Sequence, residues 1–106
     1  MLNRRRQFNL QATIYDKRGK VLAVGNNSYS KTHPLQIHTA REAGRPDAMF
    51  LHAEIHAITR LKQNADRAYK IYIERYSKDG YPLPAKPCEI CTLALQNAGI
   101  EIVEYT

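Results

Sequence analysis

Two short stretches of the chain carry the side chains best suited to chemistry. His52-Ala53-Glu54 supplies an imidazole and a carboxylate, and Pro87-Cys88-Glu89-Ile90-Cys91 supplies two thiols three positions apart. Zinc accepts nitrogen and sulfur donors, and catalytic zinc sites use three protein ligands and leave a fourth position for water or substrate. His52, Cys88 and Cys91 match that number, and zinc lowers the pKa of a bound water molecule to roughly 7. Glu54 remains as a base that can move protons, so we expect one catalytic zinc site.

The order H-A-E followed by P-C-x-x-C resembles the zinc signature of the cytidine deaminase superfamily, H-x-E…P-C-x-x-C. The resemblance covers the metal site and, loosely, the order of elements from about residue 8 onward. It implies a hydrolase acting on a C–N bond, in which Glu54 moves protons and is not a ligand. Backbone donors near Ala53 and Cys88 are then expected to stabilise charge, and Ala53 to contact the substrate. The alternative for the two thiols is a disulfide or a pair of inert core cysteines.

The substrate stays open among three hypotheses. The leading one is a cytosine-type nucleoside or nucleotide, converted to its uracil form with release of ammonia. The main alternative is a nucleic-acid deaminase acting on tRNA adenosine or on cytidine in single-stranded DNA or RNA, because H-A-E-I also resembles the tRNA adenosine deaminases. The third is a non-catalytic binding or assembly module stabilised by zinc. The carboxylate of Glu54 disfavours the third hypothesis, since a structural site would close with a fourth ligand.

Several further residues are candidates for binding. The segment Gly25-Asn26-Asn27 resembles the Gly-x-Asn that closes the second strand in many of these deaminases, so Asn27 is expected to bind substrate, and Asn26 is the weaker choice. A turn asparagine is the alternative. Ser77 to Lys86 is an insertion relative to the family. We favour slightly a lid whose Tyr81 or Leu83 packs on the base, over a rigid connector.

Three basic residues near the signature have no clear assignment. His56 is the competing imidazole for the metal, and we place it outside the ligand set because the two thiols already complete that set. Lys31 and His33 could hold a phosphate, although an ordinary surface loop is the interpretation that we favour.

The net charge of +6 is concentrated at the N-terminus, where the first 20 residues hold six basic side chains and one acid. Such a segment can attract the phosphate of a nucleotide or of a nucleic acid, or it can be only a solvated basic arm. No apolar run approaches the roughly 18 residues of a membrane span. The basic start leads into no long apolar stretch, so we expect an intracellular, cytoplasmic protein.

Hydrophobic periodicity predicts strands over residues 7–15, 21–24, 69–76 and 100–105, and helices over 52–64 and from Pro87 to Gly99. Residues 26–51 are predicted to be mostly loop. His52 and Glu54 do not share a helix face, so the resemblance places His52 at an irregular helix start.

This order of elements predicts a single α/β domain over residues 1–106, in two or three layers. An N-terminal antiparallel hairpin precedes a strand-helix-strand unit, and the helices cover the face that holds Ile14, Ile71 and Ile102. By comparison with the cytidine deaminase fold, the first helix and the fifth strand are expected to be reduced or missing. Tyr72, Val103 and Tyr105 are expected to make the second face partly apolar, which predicts a homo-oligomer.

Overall fold

The first two strands form a hairpin whose turn is fixed by one carboxylate. A computed structural model describes residues 9–48 and 50–106, and in it β1 (Leu10–Tyr15) and β2 (Val21–Asn26) run antiparallel. The Asp16 carboxylate accepts hydrogen bonds from the backbone N–H groups of Arg18 and Lys20, both at 2.9 Å. Gly19 adopts φ +85°, which a residue with a side chain rarely does. The predicted hairpin is therefore confirmed.

Two further strands complete a mixed sheet. β3 (Lys70–Arg75) pairs antiparallel with β1, and β4 (Ile102–Tyr105) pairs parallel with β3, so the strand order is β2-β1-β3-β4. Ile14 lies opposite Ile71, and Ala12 lies opposite Ile73; all four side chains are buried. The alternation in β1 and β3 thus produces the apolar face that the sequence predicted, and the four predicted strands are present in the part of the chain that the structure describes.

The helices follow in the order α1 (Pro34–Glu42), α2 (Ala53–Thr59), a 3-10 helix (Lys62–Arg67) and α3 (Glu89–Asn97). Buried residues of α2 and α3, including Ala53, Ala57 and Leu95, cluster with the apolar sheet face. A second cluster joins all three α-helices through residues that include Ala40, Ile55 and Ile90. No helix in the described part of the chain is long and apolar enough to cross a membrane.

Helix α1 was not predicted, although most of residues 26–51 is loop, as expected. The His33 ring accepts a hydrogen bond from the Leu35 N–H, and Pro34 occupies the first turn, where its missing N–H costs nothing. Its buried residues are Gln36, Thr39 and Ala40. Because two of those three side chains are polar, the helix lacks the apolar periodicity that would have predicted it.

The helix predicted over 52–64 is shorter than expected. α2 ends at Thr59, Lys62 adopts a left-handed φ of 52°, and the chain continues as the 3-10 helix. Leu61 is nevertheless buried in the core. The regular spacing of apolar residues therefore correctly indicated which side chains are buried, but not where the α-helix stops.

The register of β4 corrects the predicted faces of the sheet. Ile102 lies beside Lys70, whereas Val103 and Tyr105 lie beside Ile71 and Ile73. Ile102 is therefore on the face opposite Ile71, and Val103 and Tyr105 are on the face predicted for Ile102. Tyr72 is on the outer face, as expected, and the homo-oligomer stays a prediction. The expectation that the first helix is reduced or missing falls on residues 1–8, which lie outside the described residues, as do the basic residues Arg4, Arg5 and Arg6.

Candidate metal centre and active site

Three donor atoms converge where the starts of α2 and α3 meet. The ring Nδ1 of His52 lies 3.2 Å from the Cys91 Sγ and 3.6 Å from the Cys88 Sγ, and all three donors lie within 4.8 Å of one another. Tetrahedral zinc with ordinary bond lengths holds a nitrogen and a sulfur ligand about 3.6 Å apart. Since both the donor types and their separations agree with these values, the group fits Zn²⁺.

At both helix starts, a metal donor is the N-cap residue in an extended backbone conformation. His52 is the N-cap residue of α2, with φ −85° and ψ 152°, and Cys88 is the N-cap residue of α3, with φ −73° and ψ 174°. Cys91 lies in the first turn of α3 and is buried. His52 therefore precedes the helical residues, and the expected irregular helix start is confirmed. Glu54 is the second residue of α2, so its side chain can lie beside the three donors.

The three donors are linked by coupled hydrogen bonds. A hydrogen bond with Cys91, supported by one with His52, lowers the pKa of Cys88 to about 3. The hydrogen bond to Cys88 and burial raise the pKa of Cys91, and the bond to Cys88 also raises the pKa of His52. Cys88 is thus held as the thiolate, which is the form that binds metal. Zinc binds thiolate and neutral imidazole, so its binding to Cys91 and His52 competes with protons.

The carboxylate of Glu54 is the buried acid of this region. Only 4% of the residue is exposed, and burial raises the pKa of its carboxyl group. It lies within hydrogen-bonding reach of Cys91 but is not one of the three convergent donors. A carboxyl group with a raised pKa is suited to accept a proton and return it near neutral pH.

A cavity of about 400 Å³ opens in front of these groups. Its lining includes His52, Glu54 and Cys88 together with the predicted substrate residues Asn27 and Ala53. The structure therefore brings five of the seven predicted site residues to one cavity, and a sixth, Cys91, lies behind it among the metal donors.

The cavity also has walls that the sequence did not predict. Tyr29, Phe50 and Lys86 all contribute to the lining. Their residue types are common on protein surfaces, and no spacing links them to the zinc signature. Only their closeness in sequence to Asn27, His52 and Cys88 could have indicated them.

Tyr81 is the predicted site residue that does not reach this cavity. It is 70% exposed, and its backbone carbonyl accepts a hydrogen bond from the Ser77 N–H across a tight turn. The following segment is fastened to the rest of the fold: the Leu83 N–H donates to the Arg75 carbonyl, and the Thr106 hydroxyl donates to the Leu83 carbonyl. For residues 77–86 these contacts favour the connector over the lid, and the substrate-binding role of Tyr81 stays a prediction.

The unassigned basic residues have structural contacts. The His56 Nδ1 accepts a hydrogen bond from the Asn26 N–H at 3.0 Å, at the end of β2, and is not among the convergent donors. His33 caps α1, and the Lys31 carbonyl accepts a hydrogen bond from the Leu51 N–H at 2.9 Å. Placing His56 outside the donor group agrees with the structure.

A second cavity, of about 580 Å³, lies at the opposite end of β1. Its lining mixes basic and acidic side chains, among them Arg18, Arg67, Asp66 and Glu101. It includes neither thiol nor imidazole. Because its charges largely balance and no donor group is present, this cavity does not compete with the first one as a catalytic site.

Solved structures of known proteins share this fold. The chain is similar in fold to the guanine deaminase from Bacillus subtilis, with a TM-score of 0.53, 21% identity, and coverage of 92% of this chain and 48% of that one. It is similar also to a cytidine deaminase from Burkholderia pseudomallei, with a TM-score of 0.58, 17% identity, and coverage of 92% and 66%. The chain thus spans about half and about two thirds of the lengths of these two structures. At these identities, the likeness shows the fold.

The comparison of sequences gives the family itself. No curated protein matches the chain. Residues 2–106, however, match the family described as the cytidine and deoxycytidylate deaminase zinc-binding region. The match covers both the H-A-E stretch and the P-C-x-x-C stretch whose donors converge in the structure. The chain therefore belongs to the zinc-binding cytidine and deoxycytidylate deaminase family.

Proposed function

We propose that the protein is a zinc-dependent hydrolytic deaminase that converts a cytosine-type nucleoside or nucleotide to its uracil form and releases ammonia. The observation that carries this proposal is the position of Glu54. Its carboxylate is buried beside three donors that fit zinc, lines the same cavity as two of them, and is not itself one of the donors. A purely structural zinc site has no use for such a carboxylate.

Each side chain of the site has a part in this chemistry. His52, Cys88 and Cys91 hold the zinc ion, which supplies Lewis-acid activation of water and lowers its pKa to about 7. Glu54 accepts a proton from the water that attacks C4 of the base and passes it to the adjacent ring nitrogen. It then transfers the second water proton to the amino group as the C4–N bond breaks, so that water and the amine give the uracil form and ammonia.

The remaining residues of the cavity bind and orient the substrate. The Asn27 side chain is fixed because its Oδ1 accepts a hydrogen bond from the Leu10 N–H at 2.9 Å. It therefore presents its amide at the cavity wall in one orientation. The N–H of Ala53 belongs to the first residue of α2, where the helix provides no acceptor, so it is suited to stabilise negative charge that develops on the substrate.

Zinc content and ammonia release test the proposal together. Purified protein should contain about one zinc ion per chain, Glu54→Gln should keep the zinc and lose turnover, and Cys88→Ala should lose both. Cytosine, cytidine, dCMP, adenosine and guanine form the substrate panel. Metal-free protein that stays folded and fully active would contradict the zinc site. Zinc-loaded protein that deaminates none of these compounds, and no oligonucleotide, would favour the non-catalytic module.

A nucleic-acid substrate is the second candidate, because of two aromatic residues at the cavity. Tyr29 is 44% exposed and Phe50 is 54% exposed, and both line the cavity that contains Glu54. Exposed aromatic faces stack on unpaired bases with little regard to sequence. If a single-stranded oligonucleotide is the true substrate, its deamination should fall steeply as salt rises, whereas deamination of a free nucleoside should change little.

A further inference from the structure

One buried amide side chain lies behind the candidate zinc site. Gln36, on α1, is 0% exposed. Its Oε1 accepts a hydrogen bond from the backbone N–H of His52 at 3.1 Å, and its Nε2 donates a hydrogen bond to the backbone carbonyl of Ala48 at 3.0 Å. One end of the Gln36 amide is thus bonded to Ala48, and the other end is bonded to the segment 50–52, which leads into α2.

This segment is both a cavity wall and the lead into α2. Ala48, Phe50 and Leu51 line the cavity in front of Glu54, and His52 provides the imidazole donor. The segment is also tied at Leu51, whose N–H donates to the Lys31 carbonyl and whose carbonyl accepts from the Ser28 N–H, both at 2.9 Å. Gln36 and these backbone bonds therefore hold it from two sides.

The backbone N–H of His52 needs an acceptor such as the Gln36 side chain. His52 is extended and precedes the first helical residue, so its N–H lies outside the hydrogen-bond ladder of α2. A buried N–H without an acceptor is costly, and a buried amide is costly unless both its ends are bonded. Gln36 and His52 satisfy each other, and Ala48 satisfies the remaining end of the amide.

We propose that Gln36 is a positioning residue that sets the orientation of the His52 imidazole toward the zinc ion and fixes the adjoining cavity wall. This inference rests on the proposed role of His52 as a zinc ligand. An apolar side chain at position 36 would pack against the same helices, but it would leave the His52 N–H without its acceptor and remove one of the contacts that fix the His52 backbone. Loss of a group that orients a metal ligand typically lowers metal affinity or activity by about 10-fold to 100-fold.

The test compares two substitutions on the same face of α1. Gln36→Met keeps the approximate volume and removes both hydrogen bonds. Thr39→Val is the matched control: Thr39 is equally buried, but its hydroxyl donates only to the Leu35 carbonyl of the same helix, at 2.8 Å. Gln36→Glu is measured beside them, because an ionised carboxylate can accept from His52 but cannot donate to Ala48.

Co²⁺ titration of the metal-free proteins, followed by visible absorption, reads the donor geometry without any substrate. Competition with a chelator then gives zinc affinity. We expect Gln36→Met to bind zinc at least about 10-fold more weakly and to shift the Co²⁺ spectrum. Gln36→Glu should show a smaller loss, and Thr39→Val should match the unsubstituted protein in both measurements.

Two different failures are distinguishable. If the unsubstituted protein binds neither Co²⁺ nor Zn²⁺, the zinc site itself is wrong. If it binds both, and whichever Gln36 variant folds gives the spectrum and affinity of Thr39→Val, the positioning role of Gln36 is overturned while the zinc site stands. A drop in thermal stability alone, shared with Thr39→Val, would also overturn it.

Discussion

Gly25 offers the sharpest test of how the fold holds the site. It lies in β2 opposite Ala12, and α2 crosses directly over it. A Cβ at this position would lie 2.3 Å from the Ala57 nitrogen and 2.5 Å from the Ala53 carbonyl oxygen, whereas ordinary van der Waals contact begins at 3.4 Å. Both atoms are backbone and cannot rotate away. Gly25→Ala therefore requires α2 to withdraw from the sheet by about 1 Å.

That displacement reaches the chemistry because α2 starts immediately after His52 and contains Glu54. A misplacement of about 1 Å can cost roughly 100-fold in rate, and forcing extra volume into a packed core typically costs about 1–3 kcal/mol. We expect Gly25→Ala to lower kcat/KM for ammonia release by about 100-fold, and to lower the free energy of unfolding in urea by an amount in that range.

Gly19→Ala is the control that distinguishes a displacement of α2 from a general loss of stability. Among the described residues, no atom apart from those of Gly19 and its two chain neighbours lies within 4 Å of a Cβ at this position. The φ of +85° is nevertheless strained for alanine, which costs roughly 1–2 kcal/mol. The two variants should lose similar stability, yet Gly19→Ala should keep normal kcat/KM. If Gly25→Ala is as active as Gly19→Ala, close packing of α2 on β2 does not set the geometry of the site.

Three further outcomes follow from single contacts. Burial raises the pKa of Glu54, so the fold disfavours its ionised form and the stability linked to its proton is lost as pH rises through that pKa. Glu54→Gln should therefore raise the melting temperature of the zinc-free protein at pH 7, and it should abolish turnover of the zinc-loaded protein. His52→Ala should lose zinc by elemental analysis, whereas His56→Ala should keep it and only loosen the end of β2, where its ring accepts from Asn26. Backbone hydrogen bonds lower the pKa of Asp16, so its stabilising effect is present above pH 3.8 and is lost as pH falls through the lowered pKa. Asp16→Ala should therefore unfold at a lower urea concentration, with unchanged kcat/KM.

The sequence predicted those parts of the fold in which side-chain type alone decides burial. Leu10, Ala12 and Ile14 alternate, and a strand with one buried face is the physical result. Helix α1 escaped prediction because Gln36 and Thr39 are buried through hydrogen bonds, which no apolar pattern records. The register of β4, which sets Val103 beside Ile71, depends on the partner strand, so the faces of that strand could not be read from its own residues.

Within the candidate site, too, some residues could be predicted from their type and spacing, whereas others are brought there only by the fold. The zinc donors and Glu54 could be predicted because few residue types perform this chemistry, and their spacing is restricted by the helices that carry them. Tyr29 and Phe50 are ordinary aromatic residues whose relation to the site arises only from the fold. Tyr81 has equally suitable chemistry, but the backbone bonds of its turn hold it elsewhere.

At the starts of α2 and α3, residues that can bind zinc occupy positions where other residue types would stabilise the helix better. N-cap positions favour Ser, Thr, Asp or Asn, whose side chains accept a hydrogen bond from the first turn, and their loss typically costs about 1 kcal/mol. Here the N-cap residues are His52 and Cys88, and neither side chain caps its helix. Both turn instead toward one another across the join of α2 and α3. Without zinc, the chain gives up two helix caps and keeps Glu54 buried. Because zinc binds only the folded arrangement of these donors, its binding free energy offsets those costs, and the metal is expected to be part of the stability of the fold as well as of its chemistry.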